Sequence, residues 1–227
     1  MAKKPIILID PGHGGIHPNT GQYVTPGKRS PVWPDMAQIF EGVYNRDIAR
    51  RLARLLDRSG IPYRFIVHPD DWRDVPLSER SRRANKYAWT LGRTFYLSIH
   101  ANGHTSPGAN GLETFSYSGS EDSDVYSRAF FDQLAAALPE LRKRGAKKAD
   151  FHVLRETVMP SVLVELGFMT SPDDARHMNR GEFRQRAASA LHHTLRAITG
   201  TSGSGIATGA VVVGLLALTG LSLIFLS

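Results

Sequence analysis

Three short apolar runs, far apart in the chain, each end on a residue able to hold a metal ion or move a proton. Lys4 to Ile9 runs into Asp10-Pro11-Gly12-His13-Gly14-Gly15, Phe95 to Ile99 into His100, and Ser161 to Val164 into Glu165. Runs of this length, rich in β-branched residues and bounded by turn signals, predict strands. Helical spacing of apolar residues falls between them, over Val43 to Ser59 with Gly60 as the stop, Pro76 to Tyr87, Ser123 to Leu138 and Glu182 to Ile198. Two further strands are expected at Tyr63 to Val67 and Gly111 to Tyr117. Strands alternating with helices argue for an α/β layer fold with a largely parallel sheet, in which ligands collect beyond the carboxyl ends of the strands. That rule alone gathers His13, His100 and Glu165 at one end of the sheet.

The chain has 227 residues, enough for one substantial core, and no cysteine. A thiolate metal site and a disulfide framework are therefore excluded, and any bound metal must be held by His and carboxylates. The net charge of +7 fits an anionic partner without naming it. The cations are spaced as on solvated helix faces, for example Arg50, Arg51, Arg54 and Arg58, and no nucleic-acid motif accompanies them. Gly15 to Pro34 lacks periodicity and reads as a long loop of the kind that often carries function.

Hydrolytic zinc chemistry needs three imidazole or carboxylate ligands, an open position, and a carboxylate to take a proton from water. Glycine-flanked His13 sits where backbone approaches closely without side-chain obstruction. Glu41, in Ile39-Phe40-Glu41-Gly42, precedes a helix within apolar surroundings, where it also suits the helix macrodipole. His100 terminates an apolar strand and must satisfy its ring nitrogens in a dry place. Glu165 lies within Val162 to Phe168, where an isolated carboxylate is costly unless paired, neutralised or beside a metal.

Together, DPGHGG, FEG, SIHAN and VLVELGF, in that order, resemble the zinc-dependent N-acetylmuramoyl-L-alanine amidases of the amidase-3 type over roughly Pro5 to Thr199. The resemblance implies a single α/β domain with helices on both faces of a twisted sheet, a Zn2+ ion held by His13, Glu41 and His100, and Glu165 as the catalytic carboxylate. It also implies peptidoglycan as substrate, cut between N-acetylmuramic acid and L-alanine. Asn102 and Arg155 are further candidates for orienting ligands or binding the acidic peptide stem. A carboxypeptidase or a polysaccharide deacetylase usually carries two ligands in one close motif, and no such pair stands in a fitting place here.

The expected domain map is a catalytic domain over 1–199, a Gly/Ser linker over 200–205 and a C-terminal transmembrane helix over 206–226, a run without charge or proline. This reading anchors the protein in a membrane through its C-terminal helix, with no signal peptide, and leaves the side of the membrane open. A phage-type or particle-delivered lysis enzyme is one resolution.

Overall fold

The computed structural model describes residues 4–106 and 108–200. Six strands, β1 (Ile6–Pro11), β2 (Tyr63–Phe65), β3 (Thr94–Asn102), β4 (Leu112–Ser116), β5 (Lys143–Lys148) and β6 (Ser161–Phe168), form one sheet in the order β2-β1-β3-β6-β4-β5. Six helices accompany them: α1 (Glu41–Arg58), α2 (Leu77–Leu91), α3 (Glu121–Ala137), α4 (His152–Arg155), α5 (Pro172–Met178) and α6 (Gly181–Ile198).

Alternation along each strand sends side chains to opposite faces and builds two cores. Ile7, Ile9, Leu97, Ile99, Val162 and Val164 pack with residues of α1, α3 and α6 on one face. Leu8, Tyr96, Phe115 and Leu163 pack with Ala84 of α2 and with Val153 and Leu154 of α4 on the other. The helices on both faces agree with expectation.

The sheet is mixed, because β4 pairs antiparallel with β6 while the other pairings are parallel. The physical reason lies in the connection from β3 to β4. Only residues 103–111 separate the two strands, too few for the helical crossover that a parallel return requires, so the chain turns back. As a result β4 begins, rather than ends, at the edge of the sheet where β1, β3 and β6 end.

Strand β5 and the short helices α4 and α5 were not anticipated. Lys143-Arg144-Gly145-Ala146-Lys147-Lys148 has no apolar alternation, because β5 lies at the edge of the sheet, where charged residues are the norm.

The membrane anchor expected from the sequence must be corrected. Among the described residues no helix is long and apolar enough to cross a membrane, and the linker from 201 on and the 206–226 run lie outside the described residues. The membrane-anchored localisation and the membrane as a partner are set aside with it. The apolar run that suggested them belongs to no described helix.

Candidate active site

His13 follows β1 in a loop that bends sharply, and it carries φ 63, the only positive φ of a non-glycine residue among those described. Two arginines hold this bend by its carbonyl: the His13 oxygen accepts from Nη1 of Arg46 at 2.7 Å and from Nη2 of Arg80 at 3.1 Å. Arg46 also donates to the carbonyl of Gly42 at 3.1 Å, tying the His13 loop to the start of α1, where Glu41 is the first residue. Arg80 is 2% exposed and is neutralised by Asp10 at 2.5 Å; the hydroxyl of Tyr96 donates to the other Asp10 oxygen at 2.5 Å. A buried guanidinium this fully partnered fixes the backbone on which the site is built.

Glu41 is 2% exposed and lies between two imidazoles. Its Oε2 is 3.2 Å from Nε2 of His13, and its Oε1 is 3.0 Å from Nδ1 of His100 and accepts from the backbone N–H of Ala101 at 3.3 Å. Burial works against the charge, yet the hydrogen bonds from His100 and then His13 outweigh it and hold the carboxyl down at about 2. Burial pushes the His100 imidazole below its usual value in spite of Glu41, which favours the neutral ring that metals bind. One ligand atom from each of His13, Glu41 and His100 lies within 4.8 Å of the others, so the three can hold a metal ion. Two neutral imidazoles and a carboxylate are a donor set that suits zinc.

Glycines of the DPGHGG and FEG motifs serve this packing. A Cβ on Gly12 would lie 2.1 Å from Cε1 of His100, and one on Gly42 would lie 1.8 Å from the carbonyl oxygen of Gly14. What approaches the backbone here is the second imidazole and the neighbouring loop.

Glu165 is the register partner of His100 across β3 and β6, and Glu113 is its partner across β6 and β4, so the three lie in one row across the sheet. Oε2 of Glu165 is buried and has no hydrogen-bond partner among the described residues. Burial pushes its carboxyl well above the usual carboxylate range; Glu41 and Glu113 push the same way and Lys28 opposes them. Beyond Glu165 the strand bulges: His100 pairs with Glu165 but Asn102 with Phe168, and Gly167 supplies φ 95. The bulge is pinned by the Tyr44 hydroxyl, which donates to the carbonyl of Leu166 at 2.9 Å. A cavity of about 320 Å³ adjoins the cluster, lined among others by Gly12, His13, Leu77, His100 and Val153.

The structure thus brings His13, Glu41 and His100 together and sets Glu165 beside His100. Arg155 is instead engaged by Asp150 and, at 2.8 Å, by Glu156, while Asn102 accepts from the N–H of Gly103 at 2.8 Å. Sequence reasoning missed Arg46, Arg80 and Glu113. For Glu113 the signal was present, since the argument that singled out a carboxylate in the apolar run around Glu165 applies equally to Leu112-Glu113-Thr114-Phe115.

Residues 7–197 match the family model described as N-acetylmuramoyl-L-alanine amidase. The chain belongs to this amidase family. It is 34% identical over 195 residues to an uncharacterized cell wall amidase of Bacillus anthracis, covering 82% of this chain and 34% of that protein. It is 32% identical over 194 residues to the N-acetylmuramoyl-L-alanine amidase LytC of Bacillus subtilis, again 82% of this chain and 34% of the relative. The sporulation-specific N-acetylmuramoyl-L-alanine amidase of Bacillus subtilis is 30% identical over 184 residues, 80% of this chain and 63% of its own length. The chain therefore spans between about a third and somewhat under two thirds of these curated relatives. Among solved structures, the amidase AmiC2 of Nostoc punctiforme superposes with a TM-score of 0.69 at 28% identity, covering 86% of this chain and 97% of that one. The amidase Ami1 of Mycobacterium smegmatis gives 0.69 at 25%, with 88% and 98% covered.

Proposed function

We propose that this amidase hydrolyses the amide between N-acetylmuramic acid and L-alanine in peptidoglycan, with His13, Glu41 and His100 holding zinc and Glu165 as the catalytic carboxylate. The observation that carries the reading is the pairing of a three-residue metal-ligating cluster with an unpartnered buried carboxylate oxygen on the adjacent strand, in a chain of this family. A zinc ion bound there supplies Lewis-acid polarisation of the scissile carbonyl and acidifies water.

The residues divide the remaining work. Glu41, placed between the two imidazoles, completes the donor set and balances the cation's charge. Arg46 and Arg80, through the His13 carbonyl, keep the first imidazole aimed at the cluster, so the ligand geometry is set before any ligand arrives. Glu165, ionised, takes a proton from the attacking water on its free Oε2, and as the tetrahedral centre collapses it hands that proton to the departing amine of L-alanine. Its raised proton affinity favours taking the proton from water. The cavity beside His13 and His100, bordered by Leu77 and Val153, offers an apolar wall for the substrate on one side of the bond.

Digestion of purified peptidoglycan tests the reading. Release of intact stem peptide with a new L-alanine amino terminus supports it, whereas new reducing ends or shortened stems would identify a different hydrolase.

A further inference from the structure

The row that links His100, Glu165 and Glu113 does not stop at Glu113. On the next strand, Arg144 and Lys147 both converge on Oε1 of Glu113, Arg144 through Nε and Lys147 through Nζ at 3.0 Å. Two cations on one buried carboxylate leave an excess positive charge beside the candidate catalytic residue. Residues three apart on a regular strand point to opposite faces. Here a bulge changes that. Leu112 pairs with Lys143 and Glu113 with Gly145, so Arg144 is the extra residue, and Gly145 takes φ 99 to make the turn. Bulges re-aim side chains in this manner and are common next to active sites.

The guanidinium of Arg144 is held over the ring of Phe168 at 4.9 Å, which presents its fork in a fixed plane. Its Nη2 makes no hydrogen bond among the described residues, and Lys147 spends one of three donors on Glu113. The two side chains are 29% and 39% exposed. The other cations of the strand are engaged elsewhere: Lys143 donates to the carbonyls of Leu138 and Leu141, and Lys148 pairs with Asp124 at 2.7 Å.

We infer that Arg144 and Lys147 form a carboxylate-binding subsite for the peptide on the amine side of the scissile bond, an inference that rests on the amidase reading above. Strand β5 lies two strand spacings from β6, or about 10 Å. An extended peptide advances roughly 3.3–3.6 Å per residue, so the carboxylate recognised belongs to the second or third residue counted from L-alanine. Glu113 and, in its ionised form, Glu165 lie in this row and repel an acidic peptide; the two cations reverse that repulsion where the stem passes.

The test compares synthetic N-acetylmuramoyl peptides that differ only in a free carboxylate or a carboxamide at the second or the third residue, cut by the full chain. For one of the two positions the wild-type kcat/KM favours the carboxylate by about 10- to 100-fold, the value of a charge-assisted hydrogen bond or two. In the Arg144→Gln, Lys147→Gln double variant that ratio collapses toward one, while Arg144→Lys retains a clear preference. Zinc content and thermal unfolding are measured on each protein, and Lys147→Gln alone gives the same readout if the double variant does not fold. A double variant that keeps the wild-type ratio, including one that loses activity equally on both substrates, overturns the subsite. A wild-type protein that cuts both substrates equally well also overturns it and leaves the amidase reading standing; one that cuts neither overturns both.

Discussion

His100 and Glu165 are register partners on adjacent parallel strands, so one side chain of the candidate metal cluster and the candidate base are held a strand spacing apart by the backbone ladder. The relationship separates their roles. His100 joins Glu41 and His13, while the free Oε2 of Glu165 stays out of that hydrogen-bonded set.

Glu165→Gln is expected to keep zinc and fold while losing about 10²- to 10⁴-fold in kcat, because an amide preserves the shape and cannot accept a proton. Elemental analysis beside a muropeptide assay checks it. Zinc lost together with activity would make Glu165 a ligand.

His13→Ala, Glu41→Gln and His100→Ala are each expected to abolish stoichiometric zinc. Adding zinc to metal-free wild type should raise its melting temperature, since a ligand that binds only the folded state stabilises it, and the three variants should show no such rise. A His100→Ala protein with full zinc and full turnover would refute the site.

Gly12→Ala places a methyl 2.1 Å from the His100 ring, so that one of the two must move, and the ring is expected to. Zinc affinity should fall by about 10- to 100-fold, the usual cost of disturbing a ligand's support, without any ligand being removed. Competition with a chelator of known affinity measures it, and unchanged affinity would mean that the loop yields instead.

Arg80→Met is expected to destabilise the fold by about 3–5 kcal/mol, because it strands the buried Asp10 charge and releases the His13 carbonyl. Denaturant unfolding gives the figure; a loss below about 1 kcal/mol would show that the network is not a structural keystone.

Lys28→Met should move the acid limb of kcat/KM to higher pH. In the proposed mechanism Glu165 acts in its ionised form, so rate climbs as pH rises through its pKa. Lys28 favours that ionised form, and removing it raises the pKa further. Glu113→Gln, which deletes a repelling carboxylate, should shift the limb the opposite way. A profile that moves in neither variant would show that Glu165 does not set the limb.

The sequence by itself determined the α/β architecture and which candidate groups meet, because short apolar runs ending in His13, His100 and Glu165 have one economical solution: buried strands whose carboxyl ends meet. It also excluded thiolate ligation outright. It did not determine the direction of β4 or the existence of β5. The first depends on how few residues join β3 to β4, and the second on an edge position that needs no apolar pattern. Nor did it reveal what Gly12 accommodates, why His13 tolerates φ 63, or that Arg46 and Arg80 share one carbonyl, since each joins residues more than 30 positions apart in the chain. Local pattern reports which face a residue buries. Only the packed tertiary structure reports what it then touches, and at this site those contacts set the charge of Glu41, the proton affinity of Glu165 and the aim of Arg144.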